Sequence, residues 1–168
     1  MKPVCSKIPN AVVQKIVKEN VETPGVAVLG SFARGKPFCD DIDLLVVGGQ
    51  TIEFKCPYEK QSGGKKRAVY ILFPRGMDCG VHTDVYFITK EEIQAGSLPF
   101  MVTFLLGPKE ANIKLRLQAK KMGYILNQYG LFKKAKSRHG HGVRIKTVGA
   151  IYDFLGMEFK VKAIAYTT

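Results

Sequence analysis

The chain is short of the features that mark secreted, membrane-spanning or zinc-held proteins. Its four cysteines, Cys5, Cys39, Cys56 and Cys79, stand at wide intervals with no Cys-x-x-Cys pair, so neither a zinc site nor a disulfide scaffold is signalled. Free thiols are expected, with a Cys56–Cys79 pair across neighbouring strands left open. No apolar run is long enough to span a bilayer, and the N-terminus Met-Lys-Pro-Val-Cys-Ser-Lys lacks the apolar core of a secretory signal. An intracellular protein with no membrane partner is expected. Acids are scarce: 14 Asp plus Glu stand against 26 Lys plus Arg, a formal net charge of +12. That balance fits a polyanionic partner. With 168 residues, 46% of them hydrophobic, the chain suits one domain or two small subdomains sharing a core.

Against this background one stretch stands out, from Val28 to Asp43. Val26 to Leu29 is a short β-branched apolar run, ended by Gly30-Ser31, where a residue without Cβ lets a polyphosphate approach the backbone. A helical turn starting there would direct free N–H groups at an anion. Arg34 follows four residues after Gly30. Asp41 and Asp43 stand two apart at the entry of the next apolar run, Ile42 to Val47, and the period of a strand sets both carboxylates on one face. Two carboxylates on one face call for cations. The plainer reading is a tight loop between buried strands with solvated aspartates; it accounts for each motif alone but not for their combination.

In chain order, Pro9 to Val21 has a helical apolar stripe of Ala11, Val12, Ile16 and Val17 and reads as a cover helix. Ile52 to Lys55 and Arg67 to Phe73 read as strands joined through the hairpin tip Gln61-Ser62-Gly63-Gly64, which carries Lys60, Lys65, Lys66 and Arg67 around it. The tip either tracks a phosphate backbone or is a solvated loop. Val81 to Phe87 alternates so that His82, Asp84 and Tyr86 share one face. A third carboxylate in mid-strand, beside Asp41 and Asp43, can complete the ligand set of two octahedral Mg²⁺ ions.

After Thr89 the character changes. Pro99 to Leu106 is densely apolar, Gly107-Pro108 punctuates it, and Lys109 to Met122 has helical composition, with Pro108 suited to a first turn. Asn112, Arg116 and Lys120 share its polar face, and Ala111, Leu115, Ala119 and Met122 its apolar one. From Lys109 to Lys146 eleven basic residues face one acid, Glu110, a surface able to neutralise a nucleic acid backbone. Tyr124 to Phe132 alternates as a strand, Ser137 to Gly142 is a turn whose His139 and His141 read as loop residues, and Val143 to Lys146 can return as the strand's partner. Thr147 to Leu155 reads as a helix capped by Thr147 and ended by Gly156.

Taken together these motifs resemble a known family. Gly30-Ser31 with Asp41-x-Asp43 looks like the signature of the nucleotidyltransferase superfamily. Phe104-Leu105-Leu106-Gly107-Pro108, Asn112, Arg116, the run Gly123 to Phe132 and Asp153-Phe154-Leu155-Gly156 resemble the nascent-base-pair subdomain of family X DNA polymerases. The resemblance covers nearly all of the chain from Val26. It implies an α+β fold: a nucleotidyltransferase palm of mixed β-sheet and helices over residues 1–88, then a small α/β nascent-base-pair and DNA-binding subdomain over residues 89–168, with no lyase or helix-hairpin-helix domain.

It also implies roles. Asp41, Asp43 and Asp84 are the catalytic metal ligands, for two Mg²⁺ with Mn²⁺ as a substitute. Gly30, Ser31 and Arg34 bind the triphosphate, Phe104 and Leu105 meet the sugar, Asn112 reaches the incoming base, and Gly107 belongs to the same nucleotide-binding set. Arg116, Lys120, Lys133, Lys134 and Arg138 contact DNA. The partners implied are gapped or primed double-stranded DNA and deoxynucleoside triphosphates, bound by a monomer. The resemblance to viral members implies a virion or viral replication site, and otherwise cytoplasm or nucleus. Phe104-Leu105 stands where the family often has Tyr-Phe, His82 replaces an arginine common two residues before the third aspartate, Asp40 replaces a small residue, and the segment from Val47 to Arg67 is short for the usual palm helices. Two other readings share part of the pattern. A minimal adenylyltransferase would not need the basic second half, and a non-catalytic DNA-binding protein has no reason to keep three like charges together.

Overall fold

The structure is a computed structural model that describes residues 2–134, 142–160 and 166–168. In chain order the elements are β1 (Ile8–Pro9), α1 (Asn10–Asn20), β2 (Ala27–Leu29), α2 (Gly30–Ala33), β3 (Phe38–Cys39), β4 (Ile42–Val47), β5 (Tyr58–Gly63), β6 (Arg67–Leu72) and β7 (Val81–Ile88). They continue as α3 (Lys90–Gln94), α4 (Leu98–Leu106), α5 (Lys109–Lys121), β8 (Tyr124–Asn127), β9 (Gly130–Lys133) and α6 (Val148–Phe154). The chain divides into two compact units, Met1–Thr89 with Lys162–Thr168, and Lys90–Val161.

The first unit is built on a five-stranded mixed sheet in the order β2-β4-β7-β6-β5. β4 and β7 run parallel at its centre, and the other ladders are antiparallel. Both central strands are rich in β-branched and other apolar residues on the face that packs into the core. Leu44, Val46 and Val85 enter a core shared with Val13, Ile16 and Val17 of α1. Those helix residues recur with the spacing of one face. Because side chains alternate along a strand, the same placement turns Asp43 and Asp84 to the opposite face of the sheet.

Three details of this unit differ from what the sequence leads one to expect. The expected strand at Ile52 to Lys55 makes only an isolated bridge, Val21 to Phe54; the ladder partner of β6 is instead β5. Phe54 serves the core, its ring packed edge-on against Tyr58 and Tyr70 at 5.5 and 5.2 Å. The cysteines also differ: Cys5 and Cys79 form a disulfide, and Cys39 and Cys56 are buried free thiols. Backbone bonds from Cys5 N to Gly80 O and from Gly80 N to Pro3 O, both 2.7 Å, lay the two segments side by side and set the thiols in reach. Finally, the last residues belong with the first unit rather than the second. Val28 N bonds to Tyr166 O and Thr168 N to Val26 O, which places the C-terminus along β2.

The second unit packs α4, α5, α6 and the β8–β9 hairpin around Phe100, Leu115, Ala119, Leu131, Ile151 and Leu155. α4 is apolar on nearly every side, as a buried helix can be, and its Thr103 hydroxyl is satisfied by Pro99 O at 2.7 Å. α5 carries Glu110 in its first turn and Lys120 and Lys121 in its last, the arrangement favoured by the helix dipole. Thr147 caps α6, its Oγ1 accepting from Ala150 N at 3.0 Å. Tyr124 to Phe132 is two strands rather than one. Asn127 Oδ1 accepts from Tyr129 N at 2.8 Å and Gly130 N at 3.1 Å, a side-chain-made turn that folds the run back on itself. Val143 to Lys146 is not a strand; β8 takes the place beside β9. The turn expected at Ser137 to Gly142, with His139 and His141, lies outside the described residues except for Gly142.

Candidate active site

Asp43 and Asp84 are neighbours by register, since the parallel ladder of β4 and β7 sets them opposite each other. Asp41 stands two residues before Asp43, at the entry to β4. One ligand atom each of Asp41, His82 and Asp84 lies within 4.8 Å of the others. Asp84 is buried at 5% exposure and its two oxygens face different groups. Oδ1 accepts from Arg67 Nε at 3.1 Å and Nη2 at 2.5 Å, while Oδ2 lies 3.6 Å from His82 Nδ1.

This crowding moves the acids. The Asp43 carboxyl is pushed up to about 7, first by burial and then by the charges of Asp41 and Asp84, with Arg34 and Arg67 acting the other way. Burial and Asp84 also raise Asp41, which His82 and Arg34 partly offset. Two acids that resist ionisation beside a third are short of positive charge, the condition a bound dication relieves. Arg67 extends from the start of β6, half-exposed, with its guanidinium 5.5 Å from the Tyr86 ring centre. Sequence alone places it only at a basic hairpin tip; its approach to Asp84 depends on the β6–β7 ladder, in which Arg67 pairs with Tyr86 and so lies diagonal to Asp84.

The turn after β2 closes on the same acids. Gly30 has φ +64, and a Cβ there would lie 2.9 Å from Asp43 Cγ. Only glycine admits both the backbone conformation and the approach. α2 begins at Gly30 and lasts one turn, with Arg34 N bonded to Gly30 O at 3.1 Å. Asn10 Nδ2 ties the loop to the start of α1 through Phe32 O and Lys36 O, both 3.1 Å. Gly30, Arg34, Asp41, Asp43 and Asp84 therefore gather in the first unit, with Ser31 on the same turn.

In the second unit Asn112 and Arg116 share one face of α5, one turn apart. Asn112 Nδ2 donates to Phe104 O at 2.9 Å, and the Arg116 guanidinium sits 5.7 Å from the Phe104 ring centre. Phe100, Thr103, Leu126 and Asn127 line a small cleft with them. Leu105 is 7% exposed and Gly107 is buried, so Leu105 is a core side chain while Phe104 faces the cleft. Lys120, Lys133 and Lys134 are exposed. Arg138 lies outside the described residues.

Comparison with known proteins agrees with this geometry. The DNA polymerase beta thumb family matches residues 102–161. Two solved structures of Leishmania infantum polymerase beta have the same fold: a ternary P/T complex at TM-score 0.70 and 18% identity, covering 95% of this chain and 76% of that one, and a ternary gap complex at TM-score 0.69 and 16% identity, covering 94% and 70%. The repair DNA polymerase X of African swine fever virus is 31% identical over 133 residues, spanning 71% of this chain and 67% of the viral protein. With that identity and coverage, the chain belongs to the family X DNA polymerases.

Proposed function

We propose that the protein is a template-directed DNA polymerase that adds deoxynucleotides to a primer 3′-hydroxyl and fills short gaps in DNA repair. The observation that carries this reading is the convergence of Asp41, Asp43 and Asp84 on one face of the parallel β4–β7 pair, with the Gly30 turn packed against Asp43. Membership of family X supplies the reaction class. The African swine fever virus relative is a repair DNA polymerase, and the Leishmania structures are a ternary gap complex and a ternary P/T complex, which supports DNA and nucleotides as partners. None of the described helices is long and apolar enough to cross a membrane.

The family uses divalent cations, and the donor set fits them: all-oxygen carboxylates, crowded and short of compensating charge. Asp41, Asp43 and Asp84 would hold two, with Mg²⁺ proposed as the usual ion and Mn²⁺ as a substitute. When bound, such ions screen the triphosphate and lower the pKa of the primer hydroxyl. The chain's own part is orientation and charge. Asp84 Oδ2 takes the hydroxyl proton, directly or through water, as the 3′-oxygen bonds to the α-phosphorus and pyrophosphate leaves. Arg67 holds the other oxygen of Asp84 and so fixes the carboxylate plane. Arg34, Ser31 and the backbone of the Gly30 turn neutralise charge growing on the pyrophosphate. Asn112 reads the incoming base and Phe104 faces its sugar, while Arg116, Lys120, Lys133, Lys134 and Arg138 contact the DNA. The working form is a monomer on gapped DNA.

Substituting Asp41→Asn tests the assignment. The variant should melt no lower than the parent yet lose at least about a hundredfold in nucleotide insertion, as expected for groups that act as one unit. Near-parental insertion by a folded Asp41→Asn protein would remove the basis of the reading.

A further inference from the structure

We infer that His82 is a metal ligand in this centre, and that it biases one cation position toward first-row transition dications over Mg²⁺. The inference rests on the polymerase reading and deepens it, since it concerns which ion the acids share.

Three observations carry it. First, among the described residues the set of three side chains able to meet on one ion is Asp41, His82 and Asp84, a nitrogen among two oxygens, all within 4.8 Å of one another. Ligands about 2.1 Å from one ion lie no more than about 4.2 Å apart, so a modest side-chain rotation completes the set. Second, the strand period puts His82 on the same face as Asp84, and its Nδ1 already lies 3.6 Å from Asp84 Oδ2. The imidazole is turned to the acids and not to bulk solvent alone. Third, Arg67 engages Asp84 Oδ1 from a neighbouring strand. The carboxylate is thus already oriented by a cation on one oxygen, which leaves Oδ2 and the His82 nitrogen toward the same space. A histidine is not needed there to fix Asp84.

The chemistry of the donors decides the preference. Mg²⁺ takes oxygen ligands and keeps its waters, whereas imidazole suits the transition metals, whose affinity for such sites rises from Mn²⁺ through the later ions. Asp43 is outside the three-residue set and faces Gly30. Exchange of a water or oxygen ligand for the imidazole therefore affects the position shared by Asp41 and Asp84.

The test is direct. Mn²⁺ binding to the full chain is followed by loss of the free-ion electron paramagnetic resonance signal, with Mg²⁺ as competitor, and coordinated nitrogen is sought by electron spin-echo envelope modulation. The parent should bind Mn²⁺ about tenfold or more tighter than Mg²⁺ and show imidazole ¹⁴N coupling. His82→Gln, which keeps a polar side chain of similar reach, should lose the coupling and about tenfold in Mn²⁺ affinity, with Mg²⁺ affinity within about twofold of the parent. The chain has 3 histidines, so coupling that persists in His82→Gln would come from another one and would overturn the inference. Absence of coupling in a parent that still binds both ions overturns it too, leaving the polymerase reading intact. Failure of the parent to bind either ion would instead bring down the polymerase reading with it.

Discussion

In the metal-free protein Asp43 is a carboxyl that folding disfavours in its charged form, and replacing it should stabilise the chain while ending its activity. Folding raises this group from 3.8 to about 7. A group whose pKa is raised in the folded state binds its proton more tightly there, so its contribution is fully present below the unfolded value and is lost as pH climbs to about 7. At 1.36 kcal/mol per unit, the shift corresponds to about 4 kcal/mol as a ceiling. Relaxation of Asp41 and Asp84 around the site brings the expected figure to about 2–4 kcal/mol. Asn keeps the shape and polarity of the side chain without its charge. For a chain of this size each kcal/mol moves the midpoint by about 2–4 °C, so Asp43→Asn in EDTA should melt several degrees above the parent at pH 8 and close to it near pH 4. Adding a divalent cation at pH 8 should raise the parent by more than the variant, because ligand binding stabilises by mass action only the protein that holds the ion. Melting curves by circular dichroism at the two pH values read the difference. An Asp43→Asn protein that melts below the parent at pH 8, or shows the same offset at both pH values, would refute the electrostatic account of this site.

Two further outcomes follow from the packing around the acids and the sheet. Gly30→Ala places a Cβ 2.9 Å from Asp43 Cγ in a backbone with φ +64; it should cost about 1–2 kcal/mol for the left-handed conformation and lower nucleotide insertion at least about tenfold. Parental insertion by the Gly30→Ala protein would separate the turn from the site. Reduction of the Cys5–Cys79 disulfide, which closes a sequence separation of 74, should lower unfolding free energy by roughly 4 kcal/mol on the loop-entropy estimate; an unchanged denaturant midpoint in the Cys5→Ser, Cys79→Ser protein would show that the link adds nothing.

How much of this is legible in the sequence depends on what each residue is asked to do. β4 and β7 announce themselves because both are rich in apolar residues and their ionisable members fall on one face, so the amino-acid pattern alone gathers Asp41, Asp43 and Asp84. β5 leaves no such mark. Tyr58–Gly63 is exposed along its whole length, and an edge strand with no apolar face carries no period to read. Ile52 and Phe54 alternate convincingly, yet they pack against the core, and Phe54 makes only an isolated bridge to Val21. The β8–β9 turn is hidden in Asn127, whose side chain makes the reversal by accepting two backbone bonds. Arg67 and the Cys5–Cys79 link are illegible for a common reason. Both are made by ladders and bridges between segments distant in sequence, which no local pattern encodes. Leu105 shows the converse, a residue placed by motif in the nucleotide site that the helix turns into the core.

Extension of a labelled primer across a one-nucleotide gap reads out templated nucleotide transfer by the three acids. Each of the four deoxynucleotides is supplied alone with Mg²⁺ or Mn²⁺, and Asp84→Ala serves as control. The parent should insert a nucleotide chosen by the template base and the variant should insert none. Insertion that ignores the template, equal insertion by Asp84→Ala, or no insertion by a parent that binds the gapped duplex would contradict it.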